Sequence, residues 1–355
     1  MEGRRRKTAR NTGQTPVMPM SRSRFQDWLM LLALTAMWGS AFALTKIAVT
    51  HLPPAAVVAG RLFIGAVILL GLFALLSRRL PRGRRAWLFL FLIAAIGNTA
   101  PFLLISWGQR YIDSGLAGLL MACMPLFTLT LAHFCLPDER MTPTRAAGFV
   151  LGFCGVVVLI GPESLKIPDA HAGQPVAMLA VLVGAACYAV AAILTRLRPP
   201  GDALSAAAAT TVIAAMLSIP LLTATGAAPS SMAGADSLAW LAIFLLGGFS
   251  TAAAAIVYFR LVSSAGPAFV SQLNYLIPVW AVGVGIMFLG EQPEMNHLYA
   301  MLLILAGVLI AQRGRGLGAA TRSIGAVAAL KEARVIRRAA GSPPSWPGPE
   351  RRNES

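Results

Sequence analysis

The chain is predicted to be an all-α integral membrane protein of about ten transmembrane helices, arranged as two inverted five-helix units. Three observations predict this. The 355 residues are 57% hydrophobic and only 12% charged, the apolar residues fall in blocks of membrane-crossing length, and the basic residues gather on alternate loops. Ordinary soluble domains carry roughly a quarter charged residues, so a mean hydropathy of +0.69 exceeds what a soluble core can hide. Blocks of about 17 to 25 apolar residues match about 30 Å of hydrocarbon at about 1.5 Å per helical residue. The alternation over about ten residues that marks a membrane-spanning barrel is absent.

Taken in order, the apolar blocks predict spans over 28–50, 55–77, 86–108, 114–136, 144–161, 175–195, 203–225, 237–262, 267–289 and 297–312. The seventh is rich in Ala and interrupted by Pro220, and the tenth is short, so nine spans is the alternative count. Residues 1–27 form a basic N-terminal segment and residues 313–355 a basic tail. Within the tail, Ile324, Val327, Leu330 and Val335 are spaced among bases. That suits either a short helix on an anionic membrane surface or a solvated disordered tail.

The net charge of +16 invites a nucleic-acid reading, which the placement of the charge opposes. With an inner N-terminus, every basic residue except Lys46, Arg61, Arg110 and Lys166 falls in an inner segment. This is the positive-inside pattern, and it predicts a multi-pass protein of the cell membrane with both termini cytoplasmic. The expected partners are therefore a small-molecule solute and the bilayer, with anionic lipids at the basic face, and not nucleic acid. The first apolar block is too long for a cleavable signal sequence. Cys123, Cys135, Cys154 and Cys187 all lie in predicted spans without metal-like spacing, so they are expected to be buried structural thiols, with no metal or other cofactor.

The sequence also repeats. Trp87 precedes Pro125 by the same interval as Trp240 precedes Pro278, and Glu139 precedes Gly155 as Glu291 precedes Gly307. Trp38 leads to Thr45-Lys46 as Tyr188 leads to Thr195-Arg196, and each is followed by a pair of prolines, Pro53-Pro54 and Pro199-Pro200. A unit with an odd number of spans re-enters from the opposite side, so the two units, 28–161 and 175–312, are predicted to be inverted.

These residues resemble the EamA family of the drug/metabolite transporter superfamily. The resemblance rests on WGSAFALTK, on LPPAAVVAGRLFIGAVILL with Arg61, and on the PDERMTP and GEQPE turns before Gly- and Val-rich closing helices. It implies ten helices, a central cavity between the repeats, cytoplasmic termini and transport or export of small organic solutes, amino-acid-like compounds among them. It names no single substrate. Efflux of drugs or cationic compounds is the alternative, and a non-transporting structural or receptor-like subunit the alternative from another class.

Eight residues are the candidates for solute contact: Trp38, Arg61, Asn98, Pro125, Tyr188, Asn274, Tyr275 and Pro278. Pro125 and Pro278 fall mid-span at matched positions, where each removes a backbone donor and kinks its helix. Matched interruptions point to a transporter site, and plain packing kinks are the rival reading. Trp38 and Tyr188 are a matched aromatic pair far from the interfaces where such residues gather. Asn98, matched by Thr251, must face the bundle interior, as interhelical glue or as a solute contact. Gln272, Asn274 and Tyr275 cannot all face lipid. Arg61 is placed for an anion, or else orients the Pro53-Pro54 corner.

Lys46 and Arg196 lie near helix ends and are expected to snorkel. His133 reads as a hydrogen-bonded structural residue, with proton sensing as its rival. No Asp or Glu occupies the centre of any span. This opposes carboxylate-driven proton antiport, and no converging nucleophile, carboxylate pair or metal cluster supports an enzyme.

Overall fold

The computed structural model describes residues 22–137, 139, 141–160, 173–225, 234 and 236–312. The basic run at the N-terminus, Asp138, Arg140, Lys166 and the tail lie outside them. Nine stretches of the described residues are long and apolar enough to cross a bilayer. One of them, Ser237–Val270, has 34 residues, or about 51 Å of helix against about 30 Å of hydrocarbon. Gly266 divides it, at φ 80 and ψ 165, a conformation that only glycine adopts without cost. The following Pro267 opens a new helix. Ten spans result.

They are α1 (Arg22–His51), α2 (Pro54–Leu75), α3 (Arg84–Gly108), α4 (Ser114–Cys135), α5 (Pro143–Ile160), α6 (Gly173–Leu197), α7 (Ala203–Ala224), α8 (237–265), α9 (267–289) and α10 (Met295–Gln312). Pro220 is accommodated inside α7.

The packing is pairwise symmetric between halves. α1 packs on α8 and α9, while its counterpart α6 packs on α3 and α4, and α2 packs on α7. α5 and α10 meet through glycines. A Cβ on Gly155 would strike the Ala300 carbonyl and Ile304, and one on Gly307 would strike the Gly148 carbonyl and Gly152 backbone. The offset that takes Glu139 to Glu291 also takes Gly155 to Gly307 and Gly148 to Ala300, so the two contacts are images of each other. Helices without a hydrophobic drive between them associate through such close backbone approach.

Two short π-helical segments interrupt the spans, Ala95–Thr99 in α3 and Gly248–Ala253 in α8. The offset from Trp87 to Trp240 carries Ala95 onto Gly248, so both halves are widened at the same place. The proline positions behave less symmetrically than expected. α4 breaks at Ala122–Cys123, and Pro125 sits in the first turn of the helix that resumes at Met124, where no intrahelical N–H is needed. α9 breaks one turn earlier in register, at Ser271–Gln272, and Pro278 lies within the helix that follows. The twin mid-span kinks are thus one restarted helix and one interior proline. The thiols are all free, but only Cys123 is buried. Cys135 and Cys154 are exposed on the outward faces of their helices, where small apolar side chains suit lipid as well as core.

Candidate functional site

A cavity of about 620 Å³ lies between the halves, in the size range of small-molecule sites. Trp38, Arg61, Asn98, Tyr188, Asn274 and Pro278 line it. Tyr275 and Pro125 do not. Tyr275 turns toward the apolar cluster of α4, α6 and α10, and Pro125 belongs to the restarted turn of α4, so neither helix presents that face to the void.

The π segments explain how polar groups reach the centre. An inserted residue rotates the helix so that Asn98 and Thr251, matched across the halves, both point inward, as π-bulges at functional sites commonly do. Thr251 Oγ1 donates to the Leu246 carbonyl at 2.8 Å and accepts the Arg61 Nε–H at 2.9 Å. Ser250 Oγ donates to the Met37 carbonyl at 2.8 Å, tying α8 to α1. The close approach that seats Arg61 depends on Gly247, where a Cβ would lie 2.7 Å from the Arg61 carbonyl oxygen.

Aromatic rings surround these polar groups. The Arg61 guanidinium carbon lies 3.8 Å from the centroid of Phe102, within cation–π range. Phe102 meets Tyr188 edge-on at 6.4 Å, and Trp38 leans on Tyr258 at 5.5 Å. Phe102, Tyr258, Ser250 and Thr251 escaped selection from sequence. The Trp87-to-Trp240 offset is the signal that could have promoted Thr251, whereas apolar and hydroxyl residues such as Phe102 and Ser250 look like ordinary span filling.

The cavity runs deep into the bundle, as far as Thr45 in α1 and Ser106 in the last turn of α3. Its lining extends to Arg196, Pro267 and Ser271, beside the loops that carry the basic residues. There the Arg196 guanidinium pairs with Glu139 at 3.2 Å, and Arg145 reaches the same carboxylate at 3.3 Å. The opposite face is closed by side chains bound to main chain. Lys46 Nζ donates to the Gln109 and Ile112 carbonyls, each at 2.9 Å. Gln109 Nε2 donates to the Phe42 carbonyl at 2.9 Å. Glu291 accepts the Ser114 and Gly115 amides at 2.7 and 2.9 Å, completing the unsatisfied first turn of α4 as an anion at a helix N-terminus does.

Lys46 therefore does not snorkel to the interface. The turn after α3 offers it two carbonyls that lack intrahelical donors. His133 Nδ1 accepts the Met141 amide at 3.0 Å, the structural role expected of it. None of the lining residues is Asp or Glu, and no group of three or more metal-binding side chains occurs among the described residues.

The sequence matches the EamA-like transporter family over residues 27–161 and 175–312, the two halves seen in the fold. A Bacillus subtilis (strain 168) protein named Uncharacterized transporter YoaV is 26% identical over 79% of this chain and 95% of its own length. A Streptantibioticus cattleyicolor protein named Probable terminal-alkyne amino-acid exporter is 28% identical over 81% of this chain and 93% of its own. One solved crystal structure, 21% identical, superposes with a TM-score of 0.57 over 81% of this chain and 97% of that one, which bears on the fold alone.

Proposed function

The chain belongs to the EamA-like transporter family, and on that premise we propose that it exports small organic metabolites from the cytoplasm by alternating access through the central cavity. It is a multi-pass membrane transporter by family and fold. Export, the amino-acid-like solute class suggested by the relative named as an amino-acid exporter, and the cytoplasmic placement of both termini are parts of the proposal. The placement of the termini is supported by the basic loops, which also suit contact with anionic lipids.

One observation carries the mechanism. The cavity extends from the basic face to Thr45 and Ser106, beneath the point where Lys46 and Glu291 close the far side onto main-chain groups. That is the arrangement of an inward-facing state in a protein of two inverted halves. Six of the eight residues selected for solute contact border this cavity, and their assignment as the solute site is part of the proposal. Efflux of cationic compounds fits less well, because the aromatic walls suit cations but the charge among them is Arg61. A structural subunit has no use for the void.

The test is comparative metabolomics of cells and medium with and without the chain, followed by flux of the enriched compound in liposomes. Accumulation in the medium with the chain present is the expected result. Equal metabolite profiles together with absent flux across a broad panel overturn the reading.

A further inference from the structure

Arg61 is a cation within the membrane span of α2 with no counter-ion among the described residues. Its Nε is committed to Thr251 and its face to Phe102. The guanidinium offers five donors in a planar fork, and no further hydrogen bond from its terminal nitrogens occurs among the described residues. The other charged side chain lining the cavity is Arg196, which Glu139 pairs at the mouth. A cation inside the membrane is costly without an anion beside it, and no acidic side chain among the lining residues offsets Arg61.

We propose that the solute is a small organic monoanion whose carboxylate is held by the terminal nitrogens of Arg61. This rests on the transporter reading above and revises its solute class, from amino-acid-like compounds to acids without a free ammonium group. A carboxylate brings one negative charge and two coplanar acceptors, which match the guanidinium fork. A phosphate monoester would bring about −1.5 to −2 against one cation and leave an excess buried charge. An ammonium group finds no carboxylate in the lining, so a free amine is a liability to the solute rather than an anchor. The body of the solute rests among the two aromatic pairs, Trp38 with Tyr258 and Phe102 with Tyr188, so an aryl or extended apolar group is favoured. The cavity at about 620 Å³ has room for it.

The experiment is calorimetric titration of the purified full chain in detergent with phenylacetate, L-phenylalanine, phenylethylamine and phenyl phosphate, which share a ring and differ in charge. Phenylacetate is expected to bind tightest, L-phenylalanine more weakly, and phenylethylamine not measurably. Arg61→Gln is expected to weaken phenylacetate at least about thirtyfold, the ~2 kcal/mol lower end for truncating one partner of a buried charged hydrogen bond, and Arg61→Lys by less. The proposal is overturned if phenylethylamine or phenyl phosphate binds tighter than phenylacetate, if Arg61→Gln leaves phenylacetate binding unchanged, or if none of the acids binds. Should Arg61→Gln fail to fold, the ligand series on the unaltered chain still decides. Liposome flux separates the two claims. Arg61-dependent binding without flux keeps the anion site and removes transport, whereas flux of amines and not acids keeps transport and removes the anion site.

Discussion

Arg61 Nε donates to Thr251 Oγ1 at 2.9 Å across 190 positions of sequence, joining a straight span of the first half to the π segment of the second. Thr251→Val keeps the shape and removes the acceptor. A hydrogen bond to a charged group contributes about 1.5–3 kcal/mol, so phenylacetate affinity is expected to fall at least about tenfold as the guanidinium loses its orientation. Calorimetric titration measures this, and a thermal midpoint close to that of the unaltered chain shows that the fold survives.

Trp38→Ala, Asn98→Ala and Asn274→Ala are expected to impair solute flux in liposomes while leaving a folded, monodisperse protein. Trp38 loses its contact with Tyr258, worth about 0.5–1.5 kcal/mol beyond area, and the two Asn variants lose polar groups that border the cavity. Unchanged flux in all three would place the solute path elsewhere.

The seam between α5 and α10 is expected to be the stability-critical contact. Gly307→Ala forces a methyl into the backbone of Gly148 and Gly152 and is expected to cost about 1–3 kcal/mol, as overpacking does. Gly283→Ala, whose Cβ meets nothing within 4 Å, is the paired control and is expected to be neutral or slightly stabilising through helix propensity. Thermal unfolding in one detergent reads the difference.

Glu291→Gln weakens the far-side closure by replacing a carboxylate that accepts two amides. At about 1.5–3 kcal/mol for a charged hydrogen bond, the population open on that side is expected to rise about tenfold or more. Ser106 is buried in the cavity lining at the last turn of α3, beneath the closure, and a Ser106→Cys reporter in a background without the native thiols detects the opening through faster labelling by an impermeant reagent added on that side. A labelling rate unaffected by Glu291→Gln would show that the contact does not restrain opening.

Asp202 caps α7 outside the membrane span. The Ser205 hydroxyl and amide hold its carboxyl below the ordinary value, with Arg78 adding to the effect. A carboxylate lowered in the folded state stabilises above its unfolded pKa and loses that contribution as pH falls through the folded value. Asp202→Asn is therefore expected to shrink the drop in thermal midpoint on acidification below about pH 4.

The spans and their inversion were legible because bilayer thickness fixes block length and the charges mark alternate loops. Even the α8–α9 boundary at 262–267 came through, since Gly266-Pro267 is a break in any context. The cavity lining was legible where cost forced the residue inward, as with Arg61, Asn98 and Trp38. It was illegible where geometry decided. The π segments leave no trace in hydropathy, so the inward turn of Thr251 and the seat of Phe102 were hidden. Pro125 was misjudged because spacing gives a proline's position but not whether its helix has just restarted. The role of Lys46 required knowing which carbonyls the turn after α3 would leave unsatisfied.

The far-side closure has a consequence for how this protein tolerates mutation. Lys46 and Glu291 grip carbonyls and amides of the main chain, so drift at Ile112 or Ser114 to any residue but an imino acid leaves the receiving groups intact. Only an imino acid at 114 or 115 deletes one. The offset that takes Trp87 to Trp240 takes Ser114 to Pro267, a position already lacking its amide. The two faces therefore cannot be secured by identical bonds. One rests on invariant backbone, and the other, through Glu139 and Arg196, on side chains that evolution is free to retune.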